Sequence, residues 1–301
     1  MVLNGIGLTG ASGMLGRHLR VALEQAGARV IAVSRQADSS AGVLDWNLCN
    51  WKTFDEFDRM FGGAQAIVHA GAMVPRQSMP IDEAPMFDAN VRSCLNLGLW
   101  AISRNVPVVH VSGAIVYADH GDLNQTEKAP LGWSGFGGVY GLSKLLAEEV
   151  FHNLRARGLT LAVVRASSIY GYGLSEGKML TRFLATASSG KAIELSQPVE
   201  DRVNLVHAAD VSRAVVAILE ADAWDIFNVA SEHSVSIKEL AEACVLAVGR
   251  GHVEVQESDS PGHVPASRFE LNCNRALDRL GWRPAVDLAS GLKMMLEERL
   301  S

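Results

Sequence analysis

The feature that most constrains the fold is a glycine-rich turn near the start of the chain, residues 9–16, which read TGASGMLG. A short apolar run, Val2 to Leu8, precedes the turn, and apolar residues at helix spacing follow it. Strand, glycine turn and helix in this order are the context of a dinucleotide-binding turn. There, Gly10 permits the tight bend, Gly13 lets the backbone approach a pyrophosphate, and Gly16 lets the helix pack against the strand. The alternative, a glycine turn that only links strand to helix, stays open at this point.

Composition bounds the class of protein. The chain has 301 residues, 48% hydrophobic and 20% charged, which suits one large or two modest domains with a sizeable core. The net charge of −6 and the scattered basic residues do not resemble a nucleic-acid footprint. The four cysteines lie in no C-x-x-C pair, so we expect free thiols in a reducing compartment and no metal site. No apolar run is long enough for a bilayer and the first strand leaves no room for a signal peptide, so we expect a soluble cytoplasmic protein without membrane contacts.

Strand and helix patterns alternate through the first half of the chain. Apolar runs predict buried strands at 29–33, 66–70, 107–111 and 161–165. Amphipathic stretches predict helices at 51–61, 90–104 and 142–157. Such alternation predicts an α/β fold with a doubly wound parallel sheet of the Rossmann type, with ligand at the carboxyl ends of the strands.

The pattern changes after Tyr170, where helices become more frequent. Helices are predicted at 180–188, 210–220, 237–248 and 288–299, and short strands at 203–206 and 226–229. We therefore predict a dinucleotide-binding domain over 1–170, to which 201–232 returns, and a smaller, mostly helical substrate-binding lobe over 171–301. A cleft between the two would hold the substrate.

The end of the second strand bears on the choice of cofactor. NAD-binding turns usually place Asp or Glu there to bond the ribose 2′-hydroxyl, but this chain has Ser34 followed by Arg35. A guanidinium pairs well with phosphate, so the sequence favours NADP(H), with NAD the alternative if Arg35 is an ordinary surface residue. Asp45 could bond the adenine edge or could be a turn residue.

A second constellation is Tyr140-Gly-Leu-Ser-Lys144, whose i, i+4 spacing puts both side chains on one helix face. A lysine ammonium near a phenol stabilises the phenolate and lowers the tyrosine pKa from its usual value of about 10. Tyr140 is therefore a candidate general acid/base for interconversion of an alcohol and a ketone. Surface helices also supply such pairs by chance, so the pair gains weight only from its place after the glycine turn.

Six motifs occur in a familiar order. They are Thr9-Gly10-x-x-Gly13-x-x-Gly16, His69-Ala-Gly-Ala72, Val116-Tyr117, Tyr140-x-x-x-Lys144, Arg165 with Tyr170-Gly171, and Leu280-Gly-Trp-Arg-Pro284. Together they resemble the extended short-chain dehydrogenase/reductases, the NAD-dependent epimerase/dehydratase family, many of which act on nucleotide sugars. The resemblance implies that Tyr140 is the acid/base and that Lys144 bonds the nicotinamide ribose and lowers the Tyr140 pKa. It also implies a homodimer through the helices that start near Asn90 and Leu142.

The candidate binding residues form two sets, one for the cofactor and one for the substrate. The predicted cofactor contacts are Gly10, Ser12, Gly13, Met14, Gly16, Ser34, Arg35, Asp45, Trp46, Ala70, Gly71, Ala72, Lys144 and Arg165. The predicted substrate contacts are Met73, Ala114, Ser168, Arg202 and Arg268.

One departure from the family pattern concerns catalysis. Family members usually carry a catalytic Ser or Thr four residues before the tyrosine of the Val-Tyr pair, and here that position is Gly113. Ser112 is the nearest hydroxyl, but a shift of one residue in a strand turns the side chain to the other face. Ser112 is therefore predicted as a catalytic residue on the condition that a bulge occurs near Gly113.

Two further departures concern the substrate. Arg202 lies one residue out of the register of the arginine that often contacts the nucleotide. The Arg-Pro-Gly-Asp segment that often binds diphosphate reads Ser260-Pro-Gly-His263 and lacks its cation, for which Arg268 could substitute.

We therefore expect an NAD(P)-dependent epimerase or oxidoreductase acting on a carbinol carbon of a nucleotide sugar. The sequence does not distinguish these activities from that of a dehydratase. The missing diphosphate cation favours one alternative, a reductase of a non-nucleotide carbonyl. Gly113 favours another, an NADP-binding regulatory protein with impaired catalysis.

Overall fold

The computed structural model describes residues 4–75, 83–119, 121, 124–196, 198–256 and 269–298. The strands are β1 (Ile6–Thr9), β2 (Val30–Ser34), β3 (Val43–Asp45), β4 (Ala66–His69), β5 (Val108–Gly113), β6 (Leu161–Ala166), β7 (Ser168–Tyr170), β8 (Ala192–Leu195), β9 (Arg202–Val203), β10 (Leu205–His207), β11 (Ile226–Val229), β12 (Val235–Ser236) and β13 (His252–Val255). The α-helices are α1 (Met14–Gln25), α2 (Phe54–Phe61), α3 (Glu83–Phe87), α4 (Ser93–Arg104), α5 (Gly138–Ala156), α6 (Met179–Ser188), α7 (Ala208–Glu220), α8 (Ile237–Val248), α9 (Asn274–Leu280) and α10 (Leu288–Leu296). A π-helical turn, Asp88–Arg92, joins α3 to α4, and a 3₁₀ turn, Ala114–Val116, follows β5.

Seven strands form one parallel sheet in the order β11-β6-β5-β4-β1-β2-β3. The strand order reverses direction between β1 and β4, which is the topological switch point of a doubly wound sheet. The predicted α/β fold with a Rossmann-type parallel sheet is therefore confirmed. Ligands of such sheets bind outside the carboxyl ends of the strands at this point, beside the glycine turn and the segment that follows β4.

The sheet is buried on both faces, which explains why its strands read as continuous apolar runs. Alternate residues of each strand enter different cores. Val109 and Val164 pack with α1 and α7 on one face. Val108 and Val163 pack with α4 and α5 on the other. The two helical layers hold α5 and α1 in place over the sheet.

The second half of the chain contributes to both parts of the molecule. β11 pairs with β6 at the edge of the main sheet, and α7 packs against α1. A separate core joins α6, α8 and α10, with Leu184, Leu240 and Leu292 at its centre. The predicted strand at 203–206 is wrong in one respect. Asn204 separates two short strands, because β9 bonds to β12 whereas β10 bonds to β7.

The motif at 280–284 attaches the C-terminal segment to α7. Trp282 is buried, and its Nε1 donates to the carbonyl of Asp210 at 2.9 Å. The backbone nitrogens of Ala285 and Val286 donate to the Asp210 carboxylate at 3.2 and 3.1 Å. This buried carboxylate therefore fixes where the chain returns before α10.

Helix starts differ from prediction where a local signal decides them. The helix predicted from Trp51 begins at Phe54, because Thr53 caps it in a capping box with Glu56. The helix predicted from Leu142 begins at Gly138, after Gly137 in the left-handed region at φ 73°. Tyr140 consequently lies in the first turn of α5.

Within the described part of the chain, every helix is too short or too polar to cross a membrane.

Candidate active site

Two glycines of the turn are required by the protein's own packing. Gly10 has φ 72°, and a Cβ there would lie 2.6 Å from the Cα of Gly71. A Cβ at Gly16 would overlap the carbonyl oxygen of Gly10, against which the first turn of α1 packs. The tight bend and the close helix–strand contact predicted for these residues are therefore both present.

Gly13 is different, because its surroundings are open. It is exposed, and an added Cβ would meet only the Gly10 carbonyl oxygen, at 3.1 Å. α1 begins immediately after Gly13 with no side-chain cap and no acidic residue in its first turn. Ser12 is exposed and Met14 is half-buried beside it. This helix end therefore keeps the space and the partial positive charge that an anionic group needs.

Thr9 links the turn to the segment after β4. Its Oγ1 accepts a hydrogen bond from Gly71 N at 3.1 Å and lies 2.8 Å from His69 Nδ1. Gly71 is buried, whereas Ala70 and Ala72 are half-buried. The two predicted cofactor-contacting segments are thus held against each other at the switch point.

The ends of β2 and β3 bring the other predicted cofactor residues together. Ser34 and Asp45 are register partners, and the exposed Arg35 follows Ser34. Ser34 Oγ donates to the carbonyl of Gln36 at 2.7 Å. Trp46 is 1% exposed, and its Nε1 donates to the carbonyl of Asn50 at 3.0 Å. Arg35 and Asp45 therefore face solvent at this edge, whereas the Trp46 ring belongs to the core.

Tyr140 and Lys144 lie one turn apart at the start of α5. Lys144 is buried, and its Nζ donates to the carbonyl of Val111 in β5 at 2.8 Å. Burial lowers the pKa of Lys144 and raises that of Tyr140 above its usual value. The pKa of Tyr140 is therefore not lowered as predicted. Desolvation of the phenolate raises it, and the Lys144 ammonium bonds the Val111 carbonyl.

Asn90 positions this region and was missed by sequence reasoning. It is 3% exposed and lies in the π-helical turn, a distortion frequent at functional sites. Its Oδ1 accepts from Met73 N at 2.7 Å, and its Nδ2 donates to the Met73 carbonyl at 3.0 Å and to Ser143 Oγ at 2.9 Å. Ser143 Oγ in turn donates to the Tyr140 carbonyl at 2.8 Å. No local signal singled it out, because polar side chains also occur at positions 88, 92, 93 and 96 of the same stretch.

Ser112 does not meet the condition set for a catalytic role. β5 and β6 stay in register through Ser112–Arg165 and Gly113–Ala166, so no bulge turns Ser112 toward the cleft. Ser112 is 4% exposed, and its Oγ has no hydrogen-bond partner among the described residues. Alternation along β5 puts it on the face of His110, beneath α5. We therefore assign it no catalytic role.

Arg165, predicted to contact the cofactor, is enclosed in the core. It is 1% exposed, and its guanidinium bonds the buried Glu148 carboxylate at 2.8 Å. It also donates to Tyr117 Oη at 3.2 Å and to the Glu127 carbonyl at 3.1 Å. All these partners are protein groups, so its contacts are those of an anchor between β6, α5 and the loop after β5.

The predicted substrate contacts are divided. Met73 is half-buried under Asn90, Ala114 is buried at the end of β5, and Ser168 is exposed at the start of β7. The Arg202 guanidinium donates to the hydroxyl and to the carbonyl oxygen of Ser234, at 3.0 and 2.6 Å. It also lies 3.2 Å from the Glu239 carboxylate. Arg268 and the segment 260–263 lie outside the described residues.

Ligand atoms of His69, Cys94 and His110 lie within 4.8 Å of one another, a spacing compatible with a metal ion. Burial, and secondarily the Lys144 charge, lower the pKa of His69 to about 3. The same two causes hold the pKa of His110 well below its usual value. A metal cation here would lie beside the buried Lys144 ammonium, so the electrostatics oppose it. We interpret the cluster as neutral core side chains beneath α5.

Three comparisons place the chain among known proteins. It is 24% identical to dTDP-4-dehydro-6-deoxyglucose reductase of Escherichia coli, over 98% of this chain and 97% of that reductase. It is 24% identical to UDP-glucuronic acid decarboxylase 6 of Arabidopsis thaliana, over 97% of this chain and 87% of the decarboxylase. The structure of Thermus thermophilus UDP-glucose 4-epimerase with NAD superposes with a TM-score of 0.81 at 22% identity, covering 98% of both chains.

The family model of the NAD-dependent epimerases and dehydratases matches residues 6–230, from β1 through the last strand of the main sheet. The match includes the glycine turn, the Tyr140–Lys144 pair and the polar anchor at Arg165. With the doubly wound fold described above, it shows that this chain is an NAD-dependent enzyme of the extended short-chain class and belongs to the NAD-dependent epimerase/dehydratase family.

Proposed function

We propose that the enzyme interconverts an alcohol and a ketone at a carbinol carbon of a nucleotide sugar, with NADP(H) as cofactor and Tyr140 as general acid/base. The observation that carries the proposal is the placement of Tyr140 and Lys144 at the start of α5. Lys144 Nζ is fixed to the carboxyl end of β5, beside the strands where a doubly wound sheet binds its ligand.

The residues at the switch point fit a dinucleotide. The open surroundings of Gly13 and the uncapped, acid-free start of α1 suit a pyrophosphate. Gly10, Ser12, Gly13 and Met14 would hold that group, and Ala70, Gly71 and Ala72 would flank the cofactor. When bound, the cofactor supplies hydride transfer to or from the carbinol carbon.

Tyr140 Oη would hold the proton that the substrate oxygen gains in reduction and loses in oxidation. Burial raises the Tyr140 pKa, so the phenol keeps its proton at neutral pH and suits the reductive direction. Lys144 would position the ribose and contribute positive charge near the phenol. Asn90 holds both sides of this site, because it bonds Met73 and Ser143 at once.

The choice of NADP(H) over NAD rests on charge at the ends of β2 and β3. Arg35 is exposed, and no described residue bonds its guanidinium, so it can pair with a 2′-phosphate. Asp45 opposes this preference, because it is exposed and next to Ser34 in register. The epimerase of Thermus thermophilus that shares this fold was solved with NAD.

The nucleotide-sugar class rests on the relatives. The reductase and the decarboxylase that cover nearly the whole chain are named for dTDP- and UDP-linked sugars. The homodimer is a further proposal, supported by half-exposed apolar residues Leu95, Leu99 and Ile102 on α4 and Leu142 and Val150 on the neighbouring α5. Analytical ultracentrifugation measures that state.

The test of catalysis is Tyr140→Phe. We expect kcat for reduction to fall by about 10²–10⁴-fold, because a positioned acid is worth that much, while the Kd for NADPH stays unchanged. The rate of the unsubstituted enzyme should stay flat from neutral to alkaline pH, since the raised pKa keeps Tyr140 protonated there. Tyr172→Phe is the matched control, because it removes the hydroxyl of a half-buried phenol elsewhere in the chain.

A Tyr140→Phe enzyme with a near-normal rate would contradict the proposed acid/base. Tight NADPH binding without turnover of any carbonyl, in the unsubstituted protein as well, would favour the regulatory alternative that Gly113 motivates.

A further inference from the structure

Two aromatic side chains lie exposed on the loop that leads into α5. Trp133 is 51% exposed and Phe136 is 63% exposed, whereas most other large aromatic rings of the described chain are in the core. Such rings cost free energy in water, since apolar surface is stabilised by burial. They precede Tyr140 by seven and four residues, which makes a ligand at the active site the natural means of covering them.

The loop that carries these rings is held in a defined shape. Gly135, Gly137 and Gly138 all have positive φ, which lets the chain double back immediately before the helix. Gly132 N donates to the Val116 carbonyl at 3.0 Å, and Trp133 Nε1 donates to the Gly138 carbonyl at 3.2 Å. The Trp133 ring is therefore tied to the first residue of the helix turn that contains Tyr140.

Ile115 completes an apolar wall on the sheet side. Its Cδ1 would overlap a Cβ at Gly137 and would lie 3.3 Å from a Cβ at Gly141, so it packs against residues on both sides of Tyr140. Ala114 precedes it, and Gly113 lacks the hydroxyl usual in the family. In the segment after β4, Val74 is 46% exposed, next to Met73.

Two buried cations, one on α5 and one on β6, are already engaged with protein groups. Lys144 bonds the Val111 carbonyl, and Arg165 is paired with Glu148. A carboxylate against Ile115, Trp133 and Phe136 would lose water without gaining either cation, which is costly. An apolar substituent would instead bury its own apolar surface together with that of Ile115, Trp133 and Phe136.

We propose that Ile115, Trp133 and Phe136 form an apolar wall that selects substrates whose group next to the reacting carbon is uncharged and apolar, such as the methyl of a deoxy sugar, over a carboxylate. This specificity rests on the proposed function, because it assumes that the reacting carbon lies at Tyr140.

The experiment measures binding to the NADP⁺-loaded enzyme. The probes are three nucleotide sugars that share one nucleotide and differ at C6, which carries a methyl, a hydroxymethyl or a carboxylate. Quenching of tryptophan fluorescence reports contact with the wall. Trp51→Phe is the matched control, because Trp51 is 48% exposed and lies before α2, with the Arg92 guanidinium 5.9 Å from its ring.

We expect the methyl sugar to bind about tenfold more tightly than the carboxylate sugar. Trp133→Phe should remove most of the ligand-induced quenching, whereas Trp51→Phe should retain it. Trp133→Ala and Phe136→Ala should each reduce the preference for the methyl sugar severalfold while leaving the Kd for NADP⁺ unchanged. Trp133→Ala also removes the hydrogen bond to the Gly138 carbonyl, so Trp133→Phe, which lacks that bond but keeps an aromatic ring, controls for any loss of thermal stability.

Tighter binding of the carboxylate sugar, or an unchanged preference for the methyl sugar in both alanine variants, would contradict the proposed role of the apolar wall. If no nucleotide sugar binds, the nucleotide part of the proposed function is wrong, and the wall is judged on reduction of simple carbonyls by NADPH. An aromatic ketone should then be reduced in preference to a 2-oxo acid, and Trp133→Ala should lose that preference. Equal rates for the two carbonyls, or a preference untouched by Trp133→Ala, would again overturn it.

Discussion

The cofactor half of the site comprises the turn at residues 9–16 and residues 69–72 after β4, and the substrate half comprises residues 73–74, the end of β5 and the loop that leads into α5. Gly10 and Gly16 in the first half differ from Gly113 in the second in what an added side chain would meet. At the cofactor half, an added Cβ would meet backbone, because Gly10 lies against Gly71 and Gly16 against Gly10. At the substrate half, an added Cβ at Gly113 would meet its nearest atoms, the Ala166 carbonyl oxygen and Ile115 Cγ2, at 3.7 Å, an ordinary contact distance. Glycine is thus required by packing at Gly10 and Gly16, whereas at Gly113 the structure leaves space for a side chain.

Polar groups differ between the halves in the same way. Around the cofactor half, Thr9 is buried and accepts a hydrogen bond from Gly71, whereas the buried Asn90 bonds Met73 and Ser143 and so joins both halves. Around the substrate half, Val74, Trp133 and Phe136 are among the most exposed large hydrophobic residues of the described chain, and the predicted substrate contact Ser168 is exposed as well. The cofactor half is therefore held by close backbone packing and a buried hydrogen bond, whereas the substrate half exposes large apolar side chains.

The largest effect is expected from Gly16→Ala. Because the new Cβ overlaps the Gly10 carbonyl, α1 must shift, and such overpacking costs about 1–3 kcal/mol of unfolding free energy. Displacement of the helix end should also reduce turnover about 100-fold. Thermal unfolding and NADPH titration measure the two effects.

Gly113→Ala is the matched control, because its Cβ meets only ordinary contacts and Gly113 has an extended backbone at φ −152°. It should leave the melting temperature nearly unchanged. Equal destabilisation by the two substitutions would break the contrast between the halves.

A smaller effect, in the opposite direction, is expected from Gly113→Ser. The substitution restores a hydroxyl at the position where the family usually has one, and the structure leaves room for it. We expect kcat to rise about tenfold relative to Gly113→Ala, since a positioned hydroxyl can stabilise the developing charge on the substrate oxygen. Steady-state kinetics on the preferred carbonyl test this. A serine variant no faster than the alanine variant would show that this enzyme does not use a hydroxyl there.

The smallest effect is expected at the exposed end of the cofactor half. Arg35→Ala should weaken NADPH binding about fivefold to tenfold, because a charge-assisted hydrogen bond at a solvent-screened site is lost. The Kd for NADH should not change. Asp45→Asn is the companion variant, expected to favour NADPH slightly. Tighter binding of NADH than NADPH by the unsubstituted enzyme, unaffected by Arg35→Ala, would show that the charge argument is wrong.

Much of the fold could be predicted because its signals are short-range. Apolar runs predicted six of the seven strands of the main sheet, and the burial of those strands on both faces explains why the runs are continuous. β3 (Val43–Asp45) was not predicted. The glycine turn is likewise local, so the strand before it and the helix after it were predicted, whereas the helix of Lys144 was predicted from Leu142 and left Tyr140 outside. Helix starts at Phe54 and Gly138 were less accurate, since caps and turn glycines decide them.

The roles of individual polar residues could not be read in this way. Arg165 looked like a cofactor contact, yet it bonds Glu148 and the carbonyl of Glu127, which lies 38 residues earlier in the chain. Asn90 looked unremarkable, yet it bonds Ser143, 53 residues away. Ser112 depended on a bulge, and whether a strand bulges is decided by its neighbour's register.

Residues a few positions apart were therefore enough to predict the strands and helices of the Rossmann fold, the turn at residues 9–16 and the spacing of Tyr140 and Lys144. Three contacts followed only from the folded chain: Thr9 accepts a hydrogen bond from Gly71, 62 residues away, Arg165 is enclosed by its ion pair, and Ile115 packs against the loop of Trp133 and Phe136. These contacts depend on which distant segments fold together. The role of a buried charge or an exposed ring can therefore be assigned only from its neighbours in the structure.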